Sequence, residues 1–313
     1  MSIVFFEDHV RSHFPQSENV TCVLKKSEAL FFTADTPSGP LFFKCLVGPK
    51  GQQRVIDEYE ALTWFQEANG SRYFDVITPV ASIADTDGIG ILVTEQRTGK
   101  RCDQLLNMNA WSAKRCAALN RKPLGWLAHF HALGVPTSRA LQTACLQDDE
   151  LEAVTAIAHT HAIRVDLSAL ANVYHSFDLD TPIPYGLVHG DFISGNIILT
   201  GDQAVGFDFT LNNCDYLPRD IAWFFVSNIW RTRPWTGRVS VAKITHTLKD
   251  CLASYSRHGP EIRMEVLLCF LIQSLVAKII ELQNKIDGQN KKKKSDQHHM
   301  RLLFDHINIL SAL

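Results

Sequence analysis

The sequence predicts an α+β protein of two lobes, a small strand-rich one over residues 1–97 and a larger helical one over 98–313. Three observations predict this. Short β-rich runs alternate with turn clusters through the first hundred residues, long amphipathic helical patterns dominate the rest, and 313 residues exceed one average domain. With 46% hydrophobic, 10% aromatic and 20% charged residues, the chain can bury a real core, which makes disordered, collagen-like and coiled-coil readings poor.

The elements follow in order. Runs at 20–24, 30–34 and 41–47 read as strands, with Asp35-Thr-Pro-Ser-Gly-Pro40 as a turn cluster between the last two. From 52 to 68 the period becomes helical, with Val55, Tyr59, Leu62 and Phe65 on one face and Asn69-Gly70 as the stop. Runs at 75–83 and 89–94 complete a five-strand, one-helix lobe. After Thr98-Gly99 the clearest helices are 110–133, 151–161 and 266–284. Embedded among them is a compact patch, 185–209, with strand-like runs at 197–200 and 204–207.

Charge and cysteine usage narrow the classes. The 31 Lys and Arg against 33 Asp and Glu give a net charge of -2, so bulk charge offers nothing to nucleic acid, and none is expected as a partner. The eight cysteines form no Cys-x-x-Cys pair, which suits reduced thiols in a cytoplasmic chain. The apolar residues 3–6 run straight into Glu7, Asp8 and His9, unlike a secretory leader. The longest apolar stretch, 266–280, is broken by Gln273, Ser274 and Lys278 and reads as a buried helix, not a membrane span. The four lysines at 291–294 read as a solvated loop.

The segment 187–199, Leu-Val-His-Gly-Asp-Phe-Ile-Ser-Gly-Asn-Ile-Ile-Leu, carries the chemistry. His189-Gly190-Asp191 follows a strand-like run, Asn196 lies five positions after Asp191, and Asp208 ends a second short apolar run. Phosphoryl transfer needs such a set: a carboxylate to take the acceptor's proton, and an amide oxygen with a second carboxylate to hold Mg²⁺ on nucleotide phosphates. An Asp in a turn can instead simply cap backbone amides, but the spacing Asp-x-x-x-x-Asn with a downstream apolar-Asp-Phe is specific.

In these residues the chain resembles the aminoglycoside phosphotransferase family. That family is a branch of the protein-kinase-like fold that phosphorylates small molecules and includes choline, homoserine and methylthioribose kinases. The resemblance runs from about residue 20 to 230 and is strongest at 187–222. It implies a protein-kinase-like fold, ATP and Mg²⁺ as cofactors, Asp191 as the catalytic carboxylate, and Asn196 and Asp208 as metal ligands. It further implies that Lys44, late in the third strand, meets the nucleotide phosphates. A glutamate of the following helix would hold that lysine: Glu58, with Glu60 in reserve. Adenine would bond backbone groups at Thr94 and Gln96, in the stretch 91–99 that resembles the link between lobes. His189 and Asp220, the latter in Pro218-Arg-Asp-Ile-Ala222, would support the catalytic loop from behind. His129 and His131 cannot share a helical face and read as packing residues.

Departures from the pattern matter too. Residues 25–39 contain one glycine, Gly39, so Ser27 or Ser38 would serve a looser phosphate loop. Asp208-Phe209-Thr210 lacks the third-position glycine of protein kinases, no Ala-Pro-Glu follows, and there is no P-loop signature.

For the acceptor, residues 211–313 hold fifteen Lys or Arg against nine Asp or Glu, a poor setting for a polycationic aminoglycoside. Arg231 and Arg233 would clamp a carboxylate or phosphate, with Trp230 or Trp235 as an aromatic face; the competing reading is an amphipathic helix end. The expectation is a kinase of a hydroxyl on a small neutral or anionic metabolite or sugar. Its rivals are an antibiotic-inactivating phosphotransferase and a pseudokinase-like module that holds nucleotide without chemistry.

Overall fold

The computed structural model describes residues 3–26, 29–110, 112–141, 148–166, 180–228, 240–288 and 294–311. The chain divides into two compact units: residues 1–100 with 198–213, and residues 101–197 with 214–313. The segment 198–213, which the sequence reading placed within 98–313, packs with the first unit.

The first unit opens with a helix, α1 (Ile3–His13), that the sequence reading left out. Its signal is short: Phe6 and Val10, four apart, are its buried residues. Strands β1 (Glu18–Lys25), β2 (Ala29–Asp35) and β3 (Leu41–Val47) follow, then helix α2 (Pro49–Ala68), short β4 (Phe74–Val76), β5 (Pro79–Ala84) and β6 (Ile89–Glu95). Five of these form an antiparallel sheet in the order β1-β2-β3-β6-β5. The single run expected at 75–83 is therefore two strands. β4 instead pairs in parallel with β11 (Gln203–Gly206), a neighbour of β10 (Ile197–Thr200).

Strand alternation sorts this unit. Leu41, Phe43 and Cys45 on β3 share a core with Phe6, Val10, Phe32, Ile91 and Val93. Lys44, between Phe43 and Cys45, points to the other face. Gly99, at φ 140°, sits where a Cβ would come within 2.8 Å of the Leu199 carbonyl oxygen, so only glycine lets the two backbones approach.

In the second unit, β7 (Lys100–Arg101) leads into α3 (Cys102–Met108) and α4 (Ala113–Leu133). β8 (Thr137–Arg139), α5 (Asp148–Thr160) and β9 (Ile183–Leu187) follow. A 3-10 turn at Ser194–Asn196, then β12 (Cys214–Tyr216), lead to α6 (Pro218–Asn228), α7 (Val241–Tyr255), α8 (Met264–Asp287) and α9 (Lys294–Leu310). β12, β9 and β8 form a small antiparallel sheet. α8 is the apolar spine: Leu267, Phe270, Leu271, Leu275, Val276 and Ile279 are fully buried. Among the described residues no helix is long and apolar enough to cross a membrane. No disulfide joins the described cysteines, and burial pushes the Cys45 and Cys251 thiols up to about 12.

Candidate functional site

The residues singled out from the sequence divide between the two units. In the first, Lys44 lies on a central strand and is 8% exposed, so it is no edge charge. Its Nζ donates to Glu58 Oε2 at 2.5 Å and to Asp208 Oδ1 at 2.7 Å. Burial alone would lower the Lys44 pKa, but the two carboxylates outweigh it and hold the ammonium above its ordinary value. Glu58 is buried and Glu60 exposed, so Glu58 is the lysine's partner.

One face of α2 organises this cluster. Arg54, Glu58 and Phe65 recur at helical spacing. Arg54 Nη2 donates to Asp208 Oδ1 at 3.0 Å, Glu58 takes Lys44, and the Phe65 ring lies 6.3 Å from that of Phe209. Asp208 has φ 66°, a left-handed conformation unusual outside glycine, and its carboxylate is held there by two cations. The role of Arg54 was not legible in the sequence: an arginine one turn before a helix glutamate resembles any exposed helix charge.

Thr94 is buried on β6, in register with Phe42 of β3 and Pro79 of β5. Its Oγ1 has no hydrogen-bond partner. The Gln96 backbone N–H donates to the Pro40 carbonyl at 2.9 Å, so that group is already committed inside the protein. Among the described residues, the one cluster of His, Cys, Asp or Glu with ligand atoms close enough for a metal is His9, Asp85 and Asp87. There the imidazole of α1 pairs with Asp85 at 2.9 Å and ties the helix to the β5–β6 turn.

In the second unit the segment 189–196 is clamped by α6. Asp220, in its first turn, accepts the backbone N–H of His189 (2.6 Å) and of Gly190 (3.1 Å). Gly190 has φ 82°, which explains glycine between His189 and Asp191. Three residues on, the Trp223 indole N–H donates to Asp191 Oδ1 at 3.2 Å, and Phe224 packs on Phe192 with ring centres 5.1 Å apart. At the helix end, the Ser194 hydroxyl donates to Asn228 Oδ1 at 2.6 Å. Positions 220, 223, 224 and 228 thus form a stripe that follows the loop. Asn196 is buried, and its side-chain N–H donates to the Asp191 carbonyl at 2.9 Å, which turns its amide oxygen the other way.

Asp220 is itself held. His131 Nε2 lies 3.1 Å from Asp220 Oδ2, and His131 Nδ1 lies 2.6 Å from the Tyr255 hydroxyl. Tyr255 donating to Nδ1, and Nε2–H donating to Asp220, satisfies all three groups. Burial pushes the Asp220 carboxyl up, but His131 and the His189 N–H outweigh it and leave it below its ordinary value. The fully buried His131 is therefore part of the loop's support, more than packing. His189, also buried, lies among Trp126, Phe130 and Phe192 at ring distances of 5.4 to 6.4 Å.

Arg231, Arg233, Trp230 and Trp235 lie outside the described residues, as do Ser27 and residues 291–293; position 294 begins α9.

The first unit thus holds a buried lysine between two carboxylates, and the second an Asp-x-x-x-x-Asn loop clamped by α6. The sequence matches the Phosphotransferase enzyme family over residues 27–253, and the chain belongs to that family. No curated protein matches it. Among solved structures it is similar to an amicoumacin kinase in complex with AMP-PNP, Ca²⁺ and Ami, at 15% identity and TM-score 0.62, covering 97% of this chain and 95% of that one. An aminoglycoside phosphotransferase from Alicyclobacillus acidocaldarius matches at 13% identity and TM-score 0.61, covering 95% and 90%. A thermostable aminoglycoside phosphotransferase mutant with ADP and hygromycin B matches at 12% and 0.54, covering 97% and 98%. At such identities the likeness is one of fold.

Proposed function

We propose that the protein is an ATP- and Mg²⁺-dependent kinase that moves the γ-phosphoryl group to a hydroxyl of a small molecule, with Asp191 as the catalytic carboxylate. The observation that carries this reading is the loop 189–196. Its backbone is fixed by Asp220, and it offers an exposed Asp191 beside a buried, oriented Asn196.

By their side-chain chemistry, Asn196 and Asp208 each suit a magnesium ion. Asn196 presents an amide oxygen once its nitrogen is committed, and Asp208 presents a carboxylate held in a strained conformation; both are the hard oxygen ligands Mg²⁺ takes. When bound, the metal neutralises charge on the nucleotide phosphates. The chain's own groups would do the rest. Lys44, kept charged and aimed by Glu58, would bind the phosphates. Asp191 would orient the acceptor hydroxyl and take its proton as the oxygen bonds to the γ-phosphorus; the bond from that phosphorus to the β–γ bridging oxygen would break, and the nucleoside diphosphate would leave. Adenine would meet backbone at Thr94 and Gln96, with Gln96 contributing its carbonyl because its N–H is spent.

For the acceptor, we favour a neutral or anionic metabolite or sugar, on the basic balance of residues 211–313. The antibiotic kinases similar to this chain keep the aminoglycoside alternative alive through fold alone. A screen with ATP and Mg²⁺ over aminoglycosides, sugars, amino alcohols and hydroxy acids decides it, with Asp191→Asn as the blank. Turnover on neutral or anionic compounds is expected. Turnover on aminoglycosides alone would overturn the acceptor assignment and leave the mechanism intact. Nucleotide binding without any turnover would favour the pseudokinase-like module.

A further inference from the structure

Asp191 has two carboxylate oxygens and very different neighbours for each. Oδ2 is 3.4 Å from Asn196 Nδ2, at the limit of a hydrogen bond, whereas Oδ1 accepts the Trp223 indole N–H at 3.2 Å. Trp223 is the group on α6 that reaches the side chain of Asp191 itself. Its helix neighbours act on the loop's backbone and flanks: Asp220 upstream, Phe224 on Phe192, Asn228 on Ser194. The indole is fixed from its face as well. Lys278 Nζ of α8 lies 5.2 Å from the ring centre and is held by Glu281 at 2.7 Å, with its side chain 22% exposed. A cation over an indole face is attracted to the ring, restricting the tryptophan's rotation.

We propose that Trp223 is a positioning residue for Asp191. Its N–H holds Oδ1, and so fixes the carboxylate's torsion, while Lys278 and Glu281 brace the indole. A carboxylate oxygen has two lone pairs, so Oδ1 can keep the indole and still take an acceptor hydroxyl. This inference rests on the reading of Asp191 as the catalytic carboxylate.

The test uses the full chain and the best acceptor from the screen. Trp223→Phe keeps the ring and removes the donor; kcat should fall about ten- to a hundredfold, the loss typical of a misplaced catalytic group, with the nucleotide KM unchanged. Lys278→Met should lower kcat by a smaller factor in the same pattern. A readout independent of turnover is the indole proton resonance of Trp223 in ¹⁵N-tryptophan-labelled protein, assigned by its loss in Trp223→Phe. It should shift upfield in Asp191→Asn, where the charged acceptor is gone.

Wild-type kcat in Trp223→Phe, or a resonance indifferent to Asp191→Asn, would overturn the inference. Should Trp223→Phe fail to fold, assignment by Trp223→Tyr and the Asp191→Asn shift decide it. If Asp191→Asn itself kept turnover, the catalytic reading would fall and take this one with it. If Asp191→Asn were inactive and Trp223→Phe fully active, only the role of Trp223 would fall.

Discussion

Lys44 is the residue whose surroundings depart furthest from what a lone strand lysine would have. It is nearly fully buried against two carboxylates, so its charge is kept by neighbours and not by water. Removing one partner leaves the ammonium under-compensated. Glu58→Gln should lower stability by about 1–3 kcal/mol in urea unfolding and weaken nucleotide binding with it. An unchanged midpoint with full nucleotide affinity would show that Asp208 alone suffices to hold the lysine. Lys44 was picked out through the family resemblance, which puts a lysine late in the third strand; as a lone strand lysine it would read as an edge charge. Trp223 and Arg54 were not picked out, because a single hydrogen bond from an otherwise ordinary helix residue leaves no spacing signature.

Two helices carry the arrangement, each through one stripe. On α2 it is Arg54, Glu58 and Phe65; on α6 it is Asp220, Trp223, Phe224 and Asn228. The apolar half of each stripe is ordinary packing, and Phe65→Ala, at a fully buried ring against Phe209, should cost about 3–5 kcal/mol. A loss well under that in urea unfolding would mean the α2 face is not packed as described.

The polar half responds to pH. The folded-state pKa of Asp220 is depressed below its ordinary value of 3.8, so its contribution to stability is complete above about pH 4 and is lost as pH falls through the lower folded value. Asp220→Asn should therefore be less stable at neutral pH and show a shallower loss of stability on acidification below pH 4. Equal acid slopes in the two proteins would contradict the clamp. At this scale the sequence was partly readable. The periodicity of 52–68 located α2. The strands at 30–34, 41–47 and 89–94 were located by their β-branched and aromatic runs. The helix α1 and the parallel pairing of β4 with β11 escaped. The first rests on only two buried residues, and the second joins segments about 130 positions apart, which local pattern cannot reveal.

Across the whole molecule, family membership and fold define a phosphotransferase whose charge is unevenly spread along the chain. Net charge near zero hides a basic segment over residues 211–313, and that imbalance is the ground on which a neutral or anionic acceptor is proposed. The acceptor candidates Arg231, Arg233 and Trp235 lie outside the described residues. Recognition of a small molecule depends on side chains brought together from distant helices, not on a fixed spacing such as that joining Asp191 to Asn196.

The most direct test of the central claim is a paired measurement on wild type and Asp191→Asn: Mg²⁺–nucleotide affinity by calorimetry, and phosphoryl transfer to the best acceptor. The account predicts nearly unchanged affinity with turnover lost by about a hundredfold or more, the scale of a missing general base. An Asp191→Asn protein with near-full turnover would contradict it.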